Sequence, residues 1–238
     1  MKRTSILNQY KGICSDILSE MTTKLRKSFK TLFMETLILY LVIPGRINFL
    51  QLGRYGRSCE QRFRQNFSND FDWLEFNLKL SAKVLTGERK AIAIDPSFIS
   101  KSGKVTPWIG YFWSGCAGTT KRGLEILGVG LIDIDTKDCI SLQAVQTPDT
   151  RTLENRDATL IDWYLLVLNS MKDELQKASS YVVADAYFAK NTFVSGLQQM
   201  NFGLISRLRD DAALFYPTLE KPSGKKGRPR IYDGRIDF

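Results

Sequence analysis

The spacing of apolar residues along the chain changes at Arg89. Before it, two long segments, SILNQYKGICSDILSEM and KSFKTLFMETLILYLVI, carry apolar residues at intervals of three and four, which is the spacing of helices that bury one face. Pro44 and Gly45 follow the second segment and predict its end. The sequence therefore predicts a helical region over residues 1–88.

After Arg89, short apolar runs that suit buried strands alternate with longer amphipathic segments that suit helices. The second and third runs are separated by TKD, which predicts a hairpin. The predicted strands are RKAIAID, GLEILGVGLIDID, CISLQAVQTP, YVVAD and FGLISRLR, and the predicted helices are DATLIDWYLLVLNSMKDELQKA, before YVVAD, and AKNTFVSGLQQM, after it. This order predicts an α/β fold over residues 89–238, a ribonuclease-H-like mixed sheet with flanking helices.

Two of the predicted strands lead into an aspartate. Asp95 follows Ile94, with Pro96 predicted to end the strand, and Asp185 follows Ala184. In a ribonuclease-H-like sheet these strands are neighbours, so we expect the two carboxylates to lie close together. Such carboxylates repel each other unless divalent cations bind between them, and Mg²⁺ or Mn²⁺ prefers oxygen ligands. The pair predicts a metal site that stabilises the attacking and leaving oxygens of a phosphoryl transfer.

Other catalytic groups are few. The chain has no histidine, which excludes a Ser-His-Asp triad and a histidine-bound zinc, and its four cysteines form no Cys-x-x-Cys pair. Asp133 and Asp135 are weaker metal-site candidates, because they precede the predicted hairpin turn, where aspartate is common. Any catalysis is therefore expected to use carboxylates, lysines, hydroxyls or a metal ion bound through oxygen.

The net charge of +9 is distributed unevenly. It is +8 over residues 1–90, −2 over residues 91–200 and +3 over residues 201–238. Basic ends attract a polyanion and an acidic middle suits cations, which together indicate a nucleic-acid enzyme that uses metal ions; a solvated basic surface is the alternative. The longest apolar run near the N-terminus contains Glu35 and is shorter than the ~20 residues of a membrane span, so no membrane partner is predicted.

Within the helical region, GRINFLQLGRYGRSCEQRFRQNF predicts two short helices joined at Tyr55–Gly56. Ser58, with a glutamine three residues later, predicts a capping box on the second helix, whose Phe63 and Phe67 would face inward. The arrangement resembles a helix-turn-helix that enters the DNA major groove, and a plain helical subdomain is the alternative. The candidate DNA contacts here are Arg54, Arg57, Arg62 and Arg64.

A second basic segment, KPSGKKGRPRIYDG, lies near the end of the chain. Its Gly227–Pro229 resembles the core of an AT-hook, in which an arginine enters an A·T minor groove. We favour a basic loop beside DNA phosphates, with minor-groove recognition and a solvated loop as the alternatives. The candidate DNA contacts here are Lys225, Lys226, Arg228 and Arg230.

Four aromatic residues cluster after the first predicted strand. They fit either core packing or stacking on flipped DNA bases, and core packing is the interpretation that we favour. The cluster comprises Trp108, Tyr111, Phe112 and Trp113.

Several segments together resemble the DDE transposases of bacterial insertion sequences. They are LVIPGRINFLQLGRYGRSCEQRFRQNF, IDPSFISKSGK, GYFWSGCAGTTKRGLEI, QTP, VVADAYFAK and SRLRDDA. The resemblance implies a ribonuclease-H-like catalytic domain in which Asp95 and Asp185 match the first and second acids of the DDE triad, with Mg²⁺ or Mn²⁺ as the cofactor. It also implies an N-terminal region that binds double-stranded DNA at the terminal inverted repeats of the element.

In such enzymes a metal-activated water cuts a DNA strand, and the exposed 3′ hydroxyl then attacks target DNA. We therefore expect an insertion-sequence transposase that catalyses strand cleavage and strand transfer. The active form is expected to be a homodimer in the cytoplasm, associated with the nucleoid.

One feature of that family is missing. Its third acid is a glutamate, usually within a Tyr-x-x-Arg-x-x-x-Glu signature, and nothing before Phe238 matches this signature. We therefore expect the third acid to lie beyond the end of the chain, and the chain to be a C-terminally truncated transposase without activity. One alternative is a non-catalytic DNA-binding fragment that regulates or inhibits the full-length transposase, and another is a metal-dependent nuclease with no transposition step.

Overall fold

A computed structural model describes residues 5–103, 105–208, 212–219 and 230–236. The N-terminal part of the described chain is helical, and both long helices predicted from the apolar spacing are confirmed. The helices of this part are α1 (Ile6–Glu20), α2 (Lys27–Val42), α3 (Phe49–Tyr55), α4 (Glu60–Asn66) and α5 (Trp73–Val84).

Two apolar clusters hold these helices together. One lies between α1, α2 and α5 and includes the buried residues Ile17, Phe33 and Phe76. The other joins α2 to α3 and α4 and includes Leu52 and Phe63, which are 1% and 0% exposed. Helices as short as α3 and α4 are not stable alone in water, so their packing on α2 is what fixes them.

The rest of the described chain is built around a mixed sheet. Its strands are β1 (Lys90–Ser100), β2 (Gly110–Ser114), β3 (Thr119–Asp133), β4 (Asp138–Gln146), β5 (Tyr181–Val183) and β6 (Gly203–Ile205). The strand order is β2-β3-β1-β5-β6, with β4 also paired to β3. β1 runs antiparallel to β3 and parallel to β5, which in turn runs parallel to β6. This arrangement confirms the predicted ribonuclease-H-like fold class.

Helices cover the sheet and connect its last strands. They are α6 (Thr150–Glu154), α7 (Leu160–Ser170) and α8 (Lys172–Gln176), before β5, and α9 (Asn191–Gln199), between β5 and β6. The main core forms where Ile92 and Leu127 of the sheet meet Leu168 of α7 and Phe193 of α9. The segment predicted as one helix before β5 is two, because Met171 leaves the helical conformation (φ −115°, ψ 8°) between α7 and α8.

The strand predictions need corrections at β1 and β2. The pattern missed β2, which runs through the aromatic cluster. β1 does not end before Pro96 but continues to Ser100 along β3. Proline is tolerated in strands that have an edge without a partner, and beyond Ala93 no described strand pairs with the second edge of β1. The predicted hairpin between β3 and β4 is confirmed, with Asp133 opposite Asp138.

α5 connects the helical part to the sheet. The Asn77 side-chain amide donates a hydrogen bond of 2.9 Å to the Leu142 carbonyl of β4, and Leu74 packs against the core of the sheet. The helices end at Val84 and the sheet begins at Lys90. The division into functional regions at residues 88 and 89 remains a prediction.

Toward the C-terminus, β7 (Phe215–Pro217) and β8 (Tyr232–Arg235) form a separate two-stranded antiparallel sheet. Among all described residues, no helix is both long and apolar enough to cross a membrane.

Candidate active site

The pairing of β1 with β5 brings Asp95 and Asp185 to neighbouring strands, with Asp95 inside β1 and Asp185 just beyond the end of β5. Ala93 lies beside Val183 in this parallel pair, and each aspartate follows two residues later. Both aspartates are exposed, and both line a cleft of about 470 Å³. The structure thus brings together the two acids that the strand pattern singled out.

Asp95 lies within β1 and opposite Gly128 of β3, rather than at the end of its strand. The Ser97 hydroxyl donates a long hydrogen bond of 3.3 Å to Asp95 Oδ2. The antiparallel partner strand fixes the backbone at this position. The Asp95 carboxylate is therefore held over the cleft by regular sheet structure and not by a loop.

Asp185 begins a short 3-10 turn, Ala186–Phe188, directly after β5. Its Oδ1 accepts a hydrogen bond of 3.0 Å from the Tyr187 backbone N–H, and the Ser206 hydroxyl donates to its carbonyl at 2.8 Å. Phe188 is 0% exposed and lies in the main core. The turn that carries Asp185 is thus anchored at both ends.

Glu125 of β3 also lines this cleft, and the sequence reasoning did not identify it. Glu125 is only 7% exposed. Its Oε1 accepts a hydrogen bond of 2.6 Å from the hydroxyl of Tyr164, which is 1% exposed. A signal for it was present in the sequence: Glu125 occupies the same alternating positions of β3 as the buried Leu127 and Val129. A charged residue in the buried register of a strand is rare unless it is paired or functional.

The hydroxyls of Tyr164 and Tyr187 remain protonated at neutral pH. Burial raises the pKa of Tyr164, and its hydrogen bond to Glu125 raises it further. Burial also raises the pKa of Tyr187, with further contributions from the negative charges of Glu125 and Asp185. The Lys190 ammonium lies over the Tyr187 ring, 3.7 Å from the centroid.

The donor atoms of this cleft fit a hard divalent cation. Asp95 and Asp185 supply exposed carboxylates, which are the oxygen ligands that Mg²⁺ and Mn²⁺ prefer. Glu125 adds a buried negative charge whose partner, Tyr164, is neutral. Within the described ranges, however, no three Asp, Glu, His or Cys residues lie close enough together to bind one ion. The cleft therefore provides two candidate direct ligands.

The aromatic cluster does not pack as expected. Phe112 is buried at 4% exposure, but Tyr111 and Trp113 are 69% and 62% exposed on the edge strand β2, and all three line the cleft. Successive residues of a strand face opposite sides, so burial of Phe112 leaves its two neighbours on the other face. Trp108 packs edge-to-face on Trp163, with ring centroids 6.0 Å apart. Core packing is therefore confirmed for Phe112 and wrong for Tyr111 and Trp113.

α3 and α4 form two short packed helices at the predicted positions, but their capping differs from the prediction. α4 begins after Cys59, and Ser58 does not cap it. Ser58 instead donates its hydroxyl to Glu35 Oε2 of α2 at 2.8 Å. Burial raises the pKa of Glu35, but hydrogen bonds from Ser58 and Arg57 outweigh it and lower that pKa. Glu35 therefore fixes the turn between the two helices.

The helix pair presents its arginines to solvent. Arg64 forms an ion pair of 2.5 Å with Glu60 one turn earlier and lies over the Phe49 ring at 4.8 Å. Phe67 was expected inside, but it is 52% exposed and packs edge-on against Phe49. Arg62 reaches the Ser28 carbonyl at 3.5 Å. The exposed arginines of this surface are Arg54, Arg57, Arg62 and Arg64.

The second basic segment is only partly described. Arg230 is exposed and donates hydrogen bonds to the Tyr232 and Asp233 carbonyls of β8. The other candidate DNA contacts, Lys225, Lys226 and Arg228, lie outside the described residues.

Asp133 and Asp135 have structural partners. Asp133 is 0% exposed and accepts backbone hydrogen bonds from Gly87, Asp135 and Thr136. Asp135 pairs with the Arg89 guanidinium at 2.6 Å. These contacts tie the β3–β4 turn to the start of β1, which agrees with their interpretation as turn residues.

Comparison with known proteins identifies the family of this chain. A search of curated proteins gives no match. The family model described as DDE superfamily endonuclease matches residues 44–238, a range that contains α3, α4 and all of the described sheet. Since this match covers most of the chain, the protein belongs to the DDE superfamily endonuclease family.

Proposed function

We propose that this protein is a transposase-type endonuclease that cuts DNA with the help of Mg²⁺ or Mn²⁺ held by Asp95 and Asp185, in contrast to the inactivity that the missing third acid led us to expect. The observation that carries the proposal is that the two acids each come two residues after a paired position of neighbouring parallel strands and line one cleft. The family is that of DDE endonucleases, whose DNA-cutting chemistry this arrangement suits.

A divalent cation bound here would polarise a phosphodiester and activate a water as the nucleophile. The protein's own contribution is to hold the two carboxylates in a fixed relation, Asp95 on the paired strand β1 and Asp185 on its anchored turn. Lys190, whose ammonium lies over the Tyr187 ring, would attract a DNA phosphate to this side of the molecule. The exposed Tyr111 and Trp113 at the rim offer flat faces on which bases can stack.

Recognition of DNA is assigned to the helical region and the basic C-terminal segment. The exposed arginines of the α3–α4 pair suit contacts with duplex phosphates and base edges. By the family resemblance, the DNA would be the terminal inverted repeats of an insertion sequence, and the cut 3′ end would be joined to target DNA by a homodimer. Such a protein would be associated with the nucleoid.

The test is a plasmid nicking assay with Mg²⁺ or Mn²⁺, using supercoiled DNA that carries the sequences flanking the gene. Asp95→Asn and Asp185→Asn are each expected to reduce the nicking rate by about 10²-fold or more, while DNA binding is retained. Asp173→Asn, an exposed aspartate of α8 that does not line the cleft, is the matched control. Full nicking by either cleft variant would contradict the assignment.

A second candidate is a DNA-binding protein that does not cut and that regulates an active transposase. It is favoured by one observation, that among the described residues the cleft brings no third acid within ligand distance of an ion. Retained DNA binding without nicking by the wild-type protein would support this candidate. Nicking that Asp95→Asn abolishes would exclude it.

A further inference from the structure

Glu125 is the least solvated carboxylate of the cleft and has no cationic partner among the described residues. It is 7% exposed, and its hydrogen bond comes from the neutral hydroxyl of Tyr164. Burying a carboxylate with one neutral donor costs free energy, because a neutral hydrogen bond replaces only part of the lost hydration. The buried Glu125 carboxylate therefore destabilises the folded protein, and no described side chain of the cleft offsets its negative charge.

The other acids of the cleft add to this cost. Asp95 and Asp185 line the same cleft, and the charges of Glu125 and Asp185 both act on Tyr187. Like charges at short range destabilise one another, more so in a cleft with apolar walls such as Phe112 and Phe188 than in bulk water. A divalent cation would attract each of these carboxylates and thereby offset their mutual repulsion.

Tyr164 holds Glu125 in position rather than neutralising it. Its ring is fully buried and packs on Phe188, with centroids 5.4 Å apart. Phe188 ends the turn that begins with Asp185. The Glu125 carboxylate and the Asp185 turn are therefore held by the same pair of aromatic rings, which fixes the two acids relative to each other.

We propose that Glu125 is a third acidic residue of this site, and that its buried charge increases the affinity of Asp95 and Asp185 for a divalent cation without binding the ion directly. This inference rests on the proposed function, since it concerns the same cation. Indirect action follows from the geometry, because the described acids do not form a group of three within ligand distance. Glu125 is thus a positioning residue that acts through the electric field of the site.

The experiment measures Mn²⁺ binding to the whole protein by isothermal titration calorimetry, without DNA. Glu125→Gln keeps an oxygen that can accept the Tyr164 hydrogen bond but removes the charge, so it should raise the Kd for Mn²⁺ roughly tenfold. Asp95→Asn, which removes a proposed direct ligand, should raise the Kd further. Glu154→Gln, an exposed glutamate of α6 outside the cleft lining, should leave it unchanged.

A melting curve without metal gives a second, independent measurement. Glu125→Gln should melt at the same temperature as the wild type or higher, because it removes a buried charge that its neighbours repel. Failure of Glu125→Gln to fold would show that the protein needs Glu125 for folding, and it would overturn the inference. An unchanged Mn²⁺ Kd would also overturn it.

The outcome for Asp95→Asn separates this inference from the proposed function. If Asp95→Asn binds Mn²⁺ more weakly than the wild type while Glu125→Gln binds it equally well, Glu125 does not belong to the site. The proposed function would then still stand. If Asp95→Asn binds Mn²⁺ as the wild type does, or if the wild type binds none, the proposed function and this inference both fail.

Discussion

At the scale of single residues, carboxylates of this protein differ in what surrounds them. Asp133 is enclosed by backbone N–H donors, and Asp135 is paired with Arg89. Asp95 is exposed at the cleft and accepts one long hydrogen bond from Ser97. Glu125 is buried against a neutral tyrosine. Carboxylates whose oxygens are already occupied stabilise the fold, whereas those at the cleft remain able to attract a cation.

The bond between Tyr164 and Glu125 gives a prediction at this scale. Tyr164→Phe keeps the ring in the core but removes the donor to a buried carboxylate, so we expect the free energy of unfolding to fall by about 2 kcal/mol. Urea unfolding at neutral pH measures this change. Tyr187→Phe, at the same cleft, should change stability by less than about 0.5 kcal/mol. Equal losses in the two variants would show that the hydrogen bond to Glu125 is not the cause.

At the scale of elements, the β3–β4 hairpin is fixed to the rest of the sheet through its turn. The Asp133 carboxylate accepts hydrogen bonds from the backbone N–H groups of Gly87 at 2.7 Å, Asp135 at 3.0 Å and Thr136 at 3.1 Å. The Asp135 carboxylate accepts hydrogen bonds from the backbone N–H groups of Glu88 and Arg89. The two aspartates thus bind the residues that lead from α5 into β1. The start of β1, and with it the position of Asp95, depends on this turn.

The hairpin turn has a pH-dependent contribution to stability. Burial raises the pKa of Asp133, but hydrogen bonds from Thr136, Gly87 and Asp135 outweigh burial, and the folded pKa lies below its usual value. The stabilisation is therefore fully present above the unfolded pKa of about 4 and is lost as pH falls through the lower folded pKa. Asp133→Asn should lower the melting temperature at neutral pH.

That difference in melting temperature should shrink when the measurement is repeated at pH values below about 4. Asp138→Asn is the matched control, since Asp138 lies opposite Asp133 in the ladder but is exposed. A difference that is the same at neutral and acidic pH would show that Asp133 acts through packing and not through its charge.

At the scale of the whole molecule, a basic helical part adjoins a sheet that carries an acidic cleft. Residues 1–90 have a net charge of +8 and residues 91–200 a net charge of −2. α5 packs against β4, so the two parts are in direct contact. A polyanion attracted by the first part is thereby brought near the second, where a cation at the acids would offset the repulsion of its phosphates.

This charge distribution predicts the behaviour of DNA binding. Replacing Arg62 and Arg64 by alanine should weaken duplex binding and reduce the slope of log K against log salt by about 0.9 for each phosphate that the protein no longer neutralises. Fluorescence anisotropy at several salt concentrations measures both quantities. The control is the double variant Lys24→Ala, Lys27→Ala, which removes the same number of positive charges. Both lysines are exposed and lie elsewhere in the helical part. Equal effects of the two double variants would mean that α4 has no special role in binding DNA.

The sequence alone determined the helices α1 and α2, the fold class and the two aspartates of the cleft. Apolar spacing is a local property, and it distinguishes helices from strands wherever segments are long and regular. The strand order of this fold class then makes β1 and β5 neighbours, which is why Asp95 and Asp185 could be paired across a long stretch of sequence. The family resemblance, confirmed by the match over residues 44–238, agrees with this pairing.

The tertiary structure decided the features that depend on contacts between distant segments. Ser58 fits a capping box locally, yet it binds Glu35 of another helix. β2 is too short to show a clear period, so its alternation of buried and exposed aromatic residues appears only when it pairs with β3. Glu125 became a candidate only when the fold placed it against Tyr164 and in the cleft of both aspartates, because the environment of a buried charge is set by residues far away in the chain.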